Sequence, residues 1–193
     1  MFFSKKNKVP IEVSARHCHL SKEDLQKLFG SDYQLKKMRQ LSQPSDFACE
    51  ETVEIEFGSK SIKNVRVVGP LRGQTQVEIS LSDAIGSGIT PLVKTSGDLG
   101  GSTAVILRGP AGKTELEEGL IIAQRHIHCS TNEAKKLKLK DQGIVSVKIE
   151  GERSIIFNNV KVRVKDAYSL SMHIDTDEGN ASGINKIGGG IIV

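Results

Sequence analysis

The chain reads as a mainly β protein made of two small β-barrels or sandwiches related by an internal repeat. Three observations carry that reading. Short alternating, β-branched segments outnumber helical patterns, turn signals separate them at close intervals, and two stretches of the chain repeat each other.

The first strand is Val9-Pro10-Ile11-Glu12-Val13, which runs into Arg16-His17-Cys18-His19. Ser21 then stands as an N-cap, with Glu23 and Asp24 in the first turn of a short helix. Strand alternation returns at Thr52–Phe57, Gln76–Ile79, Ala104–Leu107, Ile144–Ile149 and Ser169–Ile174, with turns such as Phe57-Gly58-Ser59, Gly109-Pro110-Ala111-Gly112 and Glu150-Gly151-Glu152 between them. Leu120-Ile121-Ile122-Ala123 leads into Arg125-His126-Ile127-His128, and Ser130 caps a second short helix. The glycine-rich end, Gly188 to Val193, carries no clear pattern and is expected to be flexible.

The repeat has two offsets. Arg16, His17, His19, Ser21, Lys27 and Leu28 recur 109 residues later as Arg125, His126, His128, Ser130, Lys136 and Leu137. Further on, Asn64-Val65-Arg66-Val67 recurs 95 residues later as Asn159-Val160-Lys161-Val162, and Ser87-Gly88 as Ser182-Gly183. The offset falls by 14, so about that many residues between Tyr33 and Cys49 have no counterpart. That segment, with Gln43-Pro44-Ser45, is expected to be a loop or small insertion.

Composition excludes several classes of function. The 27 Lys and Arg against 23 Asp and Glu leave a net charge of only +4, and with no Trp and 2 Tyr there are few platforms for stacking bases. A dedicated nucleic-acid binder is not expected. No apolar run approaches the roughly 20 residues that cross a bilayer, and no signal-peptide core follows Met1, so no membrane association is expected. The 3 cysteines, Cys18, Cys49 and Cys129, are an odd, sparse set that fits a reducing compartment. They read as small buried hydrophobes rather than nucleophiles.

All 5 histidines fall into the repeat. In an extended strand both rings of an H-x-H pair point to one face, where they can converge on one ion, while Cys18 points to the other. At the offset of 95, Glu78 aligns with His173. One half therefore offers His17, His19 and Glu78, and the other His126, His128 and His173. A lone strand histidine is ordinarily just a surface or core residue; two pairs in repeated context are more. Three protein ligands with an open position are what a catalytic zinc or similar borderline ion takes. Arg72, six residues before Glu78 in a turn-like segment, is either a solvated loop residue or a bidentate anchor for phosphate or carboxylate. Arg16 and Arg125 read as supports for the histidine strands rather than ligands.

Four strings together resemble the PduL-type phosphotransacylases, or phosphate propanoyltransferases. They are Val13-Ser14-Ala15-Arg16-His17-Cys18-His19-Leu20-Ser21, Gly69–Ser80, Ala123-Gln124-Arg125-His126-Ile127-His128 and Met172–Glu178, and the likeness runs from about Val9 to Ala181. The resemblance implies two β-barrel domains capped by short helices, with the active site between them. One would be discontinuous, residues 9–15 plus 124–193, the other would span 16–123, and residues 1–8 would form a short tail. It implies reversible acyl transfer between coenzyme A and inorganic phosphate, with propanoyl or acetyl groups, by direct attack of a metal- and Arg-bound phosphate on the thioester. It also implies two divalent ions, with zinc favoured, one on His17, His19 and Glu78 and the other on His126, His128 and His173. Arg72 matches the phosphate-contacting arginine. A homodimer follows from the resemblance as well; the residues that contact coenzyme A do not.

Microcompartment members of the family, which serve propanediol or ethanolamine degradation, commonly carry an N-terminal amphipathic extension. Here Phe2, Phe3 and three lysines precede the first strand, enough for at most one or two helical turns. A free cytoplasmic enzyme is therefore expected, with encapsulation by another route left open. Two other readings fit the ligand residues alone: a dinuclear metallohydrolase of a thioester or phosphoester, and a non-enzymatic metal-binding module.

Overall fold

The structure, a computed structural model, describes residues 7–193. The expectation for the first six residues lies outside that range. In chain order the elements are β1 (Lys8–Val13), β2 (His17–His19), α1 (Lys22–Phe29), β3 (Lys37–Gln40), β4 (Phe47–Phe57), β5 (Lys60–Gly69), β6 (Gln76–Glu78), α2 (Leu81–Ala84) and β7 (Val93–Lys94). There follow β8 (Thr103–Arg108), β9 (Lys113–Ala123), β10 (His126–Cys129), α3 (Thr131–Leu137), β11 (Ile144–Ile149), β12 (Ile155–Val164), β13 (Ser171–Ile174), α4 (Thr176–Ser182) and β14 (Ile187–Ile192). The fold is mainly β, with two closed six-stranded barrels and short helices among the described residues. None of those helices is long and apolar enough to cross a membrane.

The chain divides into two compact units. Among the described residues the first comprises 7–15, 42–44 and 124–193, the second 16–41 and 45–123. In the first, the strands close in the order β1-β13-β10-β12-β11-β14 around Val9, Ile11, Ile127, Val147, Phe157, Val160 and Met172. In the second, β4-β5-β2-β6-β9 closes through β8, which pairs with both β4 and β9, around Cys18, Leu20, Ile55, Val67, Val77 and Leu120. The strands β3 and β7 are added at the margins. Closure leaves the six barrel strands without an open edge, which suits a chain so rich in β-branched residues.

The two barrels repeat each other down to the register. The strand β2 pairs in parallel with β5, His17 opposite Arg66, as β10 pairs with β12, His126 opposite Lys161. Likewise β6 pairs in parallel with β9, Glu78 opposite Ile121, as β13 pairs with β1, His173 opposite Glu12. Asn64 and Asn159 hold the same left-handed conformation, φ 58° and 56°. Asparagine tolerates that region better than most residues. Ser21 and Ser130 cap α1 and α3 as read from the sequence, and Ser80 and Asp175 form matching capping boxes on α2 and α4.

Two expectations need correction. The segment between Tyr33 and Cys49 is not simply a loop. Lys37–Gln40 forms β3 against β4, and Gln43 is buried, its amide exchanging hydrogen bonds with the Ser169 backbone at 3.0 and 3.3 Å. The glycine-rich end is not a loose tail either. It is β14, which pairs with both β1 and β11 and closes the first barrel. Gly190 is a packing requirement: a Cβ there would lie 2.5 Å from Val147 Cγ1 and 2.9 Å from Ile11 Cδ1. Both neighbours are β-branched and fully buried, so neither can swing aside. Gly190→Val should therefore cost about 1–3 kcal/mol of stability, lowering the thermal midpoint by roughly 3–10 °C. Gly189→Ala should be near neutral, since no atom lies within 4 Å of its Cβ position; differential scanning calorimetry of both variants checks the contrast.

Candidate metal centre

The strand β2 lies between β5 and β6, and the antiparallel register sets His17 opposite Glu78, Cys18 opposite Val77 and His19 opposite Gln76. Alternation then sorts the side chains: His17, His19, Gln76 and Glu78 share one face, while Cys18 and Val77 enter the core with no exposure. The ligand atoms of His17, His19 and Glu78 lie within 4.8 Å of one another, and His17 Nε2 is 3.7 Å from Glu78 Oε2. Among the described residues this is the trio of His, Cys, Asp or Glu that reaches such mutual approach.

The donor chemistry fits a divalent ion. His19 Nδ1 is 2.9 Å from the Val68 carbonyl oxygen, which can only accept, so Nδ1 carries the proton and Nε2 keeps its lone pair. Burial pushes the His19 imidazole well below its usual range, with His17 and Arg72 adding to the effect, so the ring stays neutral. Burial alone would push Glu78 up, but His17, His19, a Ser96 hydrogen bond and the Arg72 charge outweigh it and hold the carboxyl at about 2. A neutral His19 imidazole and an ionised Glu78 carboxylate are the states in which such groups bind metal.

The second trio follows the same plan. The strand β10 sets His126 opposite His173 on β13, Ile127 opposite Met172 and His128 opposite Ser171. The ring centroids lie 4.6 Å apart for His126 and His128, 5.3 Å for His126 and His173 and 5.1 Å for His128 and His173. The three rings thus gather on one side of the sheet. His126 Nδ1 is 2.8 Å from the Gln124 carbonyl oxygen, which again leaves Nε2 for a ligand.

Arg16 and Arg125 have equivalent roles. Arg16 reaches Asp83 Oδ1 at 2.7 Å while Asp83 Oδ2 accepts the Ser80 N–H of the capping box. Arg125 reaches Glu178 Oε1 at 3.0 Å while Glu178 Oε2 accepts the Asp175 N–H. Each arginine thereby ties its histidine strand to the helix that follows the third ligand. Arg72 is half-buried beside the first trio, its Nη1 donating to Ser96 Oγ at 3.1 Å. The three cysteines are buried and free, and burial raises all three thiols, Cys49 and Cys129 to about 11, which disfavours a thiolate nucleophile.

Sequence reasoning missed Gln76, Ser96, Asp83, Glu178 and Tyr168, whose ring centroid lies 4.3 Å from that of His128. Gln76 had a signal, since it sits two residues before Glu78 and so shares its face. Ser96 had none, because it reaches the site from a separate loop.

In the metal-free chain both His19 and Glu78 bind protons less readily folded than unfolded. Stability should therefore fall as the pH drops below 6.5, where unfolded histidine protonates, and again from about 4.5 towards 2. Glu78→Gln should flatten the lower limb and leave the upper one; urea midpoints between pH 8 and 3 measure this.

The family model described as phosphate propanoyltransferase matches residues 10–185. Curated relatives carry the same name. One from Clostridioides difficile is 46% identical over 178 residues, covering 92% of this chain and 85% of the relative. One from Thermotoga maritima is 47% identical over 176 residues, covering 91% and 84%, and one from Shewanella putrefaciens is 49% identical over 179 residues, covering 92% and 84%. With the family model spanning nearly the whole chain and near-half identity to full-length relatives, the chain belongs to the phosphate propanoyltransferase family of acyltransferases.

Proposed function

We propose that the protein interconverts a short acyl-CoA, such as propanoyl-CoA or acetyl-CoA, and inorganic phosphate with the acyl phosphate and free coenzyme A, using two divalent ions. Family membership supports the reaction class. The convergence of His17, His19 and Glu78 is the observation that carries the metal requirement. Those three residues hold one ion, and His126, His128 and His173 hold the other. The nitrogen-rich donor sets favour zinc.

Arg72 binds phosphate through its planar fork and aims one oxygen at the thioester carbonyl carbon. A C–O bond forms as the C–S bond breaks, and coenzyme A leaves as a thiolate that takes up a proton from solvent. When bound, a divalent ion supplies Lewis-acid stabilisation of the negative charge that develops on the carbonyl oxygen or the departing sulfur. Phosphate is already anionic near neutral pH, so no side chain has to remove a proton from it. No protein nucleophile is needed either, because holding both substrates in line supplies much of the rate advantage. Neutral His19 and ionised Glu78 are in the protonation states that bind a metal across the physiological range. The protein is further proposed to act as a homodimer, which sedimentation analysis tests.

A metallohydrolase would share the ligands but not the dependence on phosphate. Release of coenzyme A from propanoyl-CoA should require phosphate and yield acyl phosphate stoichiometrically; equal release without phosphate would replace this reading with the hydrolytic one. Arg72→Ala should raise the phosphate KM and cut kcat/KM by roughly 10–100-fold, the loss expected for one charge-assisted contact, while bound metal stays unchanged. Loss of metal instead would remove Arg72 from the phosphate role.

A further inference from the structure

We propose that Gln76 and Ser96 are positioning residues that lock the Arg72 guanidinium and the Glu78 carboxylate into one preset arrangement. The inference rests on the roles given above to Arg72 and Glu78.

Gln76 is 1% exposed and lies on the site face of β6, two residues before Glu78 and opposite His19. Its amide is engaged at both ends. Nε2 donates to Glu78 Oε1 at 2.5 Å and to Ser96 Oγ at 2.9 Å, and Oε1 accepts the Gly97 N–H at 2.7 Å. Ser96 Oγ also accepts from Arg72 Nη1 at 3.1 Å, and its hydroxyl bonds the Glu78 carboxylate. A serine hydroxyl has one proton and two lone pairs, so accepting from Gln76 and Arg72 while donating to Glu78 uses its full capacity. The chain Arg72–Ser96–Gln76–Glu78 is thus directional and leaves little rotational freedom. Leucine at position 76 would leave Glu78 Oε1 and the Gly97 N–H without that partner. Glutamate there would set a second carboxylate against Glu78.

The duplicated fold separates this role from a merely structural one. Position 76 corresponds to Ser171 and position 72 to Ala167 in the other half, at the offset of 95. The same barrel closes there without the glutamine or the arginine, so the template does not require the relay in order to fold. It belongs to the half that carries the carboxylate ligand and the candidate phosphate anchor.

The test uses the metal-loaded enzyme and four variants, Ser96→Ala, Ser96→Thr, Gln76→Leu and Arg72→Ala, with phosphate KM, kcat, retained zinc under chelator competition and thermal midpoint read for each. Ser96→Ala should raise the phosphate KM roughly 10-fold with a smaller change in kcat, a loss typical of a group that orients a site residue. Ser96→Thr, which keeps the hydroxyl, should restore it. Gln76→Leu should raise the phosphate KM similarly and also weaken zinc retention about 10-fold. If Arg72→Ala raises the phosphate KM but neither Ser96→Ala nor Gln76→Leu does, the relay is overturned while the role of Arg72 stands. A rise in Ser96→Ala that threonine does not restore overturns it as well. If Arg72→Ala leaves the phosphate KM unchanged, the role of Arg72 fails and the relay with it. Should Gln76→Leu not fold, the serine pair decides the matter alone.

Discussion

The register between each H-x-H strand and its antiparallel neighbour is the constraint on which the rest of the structure depends. With His17 opposite Glu78 and His126 opposite His173, the third member of each trio meets the first directly across the sheet. Strand side chains alternate, so a slip of one residue would send the histidines into the barrel core and bring Cys18 and Ile127 to the site face. The cost of that slip is the burial of polar rings in exchange for two residues that are now fully enclosed. Hydrophobic pressure on Cys18, Val77, Ile127 and Met172 therefore holds the two trios in place from behind.

Closure of the barrels reinforces this register from the outer strands. In each barrel the histidine strand is clasped by a parallel and an antiparallel partner. An arginine at its start is tied to a carboxylate whose other oxygen caps a helix. The divergence between the halves lies in the site residues rather than in the frame. One half carries Glu78, Gln76 and Arg72; at the equivalent positions the other carries His173, Ser171 and Ala167. The first trio includes a carboxylate and the second consists of imidazoles alone, so the two candidate sites on one template differ in donor chemistry. The matched left-handed Asn64 and Asn159 belong to the frame that the two halves share.

Much of this was legible from residue spacing. The two candidate trios emerged because the repeat supplies an internal comparison that composition lacks, and Glu78 became visible only through its alignment with His173. Ser21 and Ser130 announced their helices because capping is a local interaction. The errors have a common origin. The glycines of β14 look like a flexible tail until Ile11 and Val147, distant in sequence, close over Gly190. Lys37–Gln40 has no apolar alternation, since all four residues are exposed, so its pairing with β4 leaves no periodic trace.

Local chemistry and internal periodicity thus mark out the two candidate trios, which face of the strand their members share and which serines start the helices, because each depends on neighbours a few positions away. The partnership of Ser96 with Gln76 and Arg72, the pairing of Arg16 with Asp83 and Arg125 with Glu178, and the closure of the first barrel by β14 depend on contacts between segments far apart in the chain. Such contacts form only once burial of the two cores has fixed the backbone, and no local pattern records them.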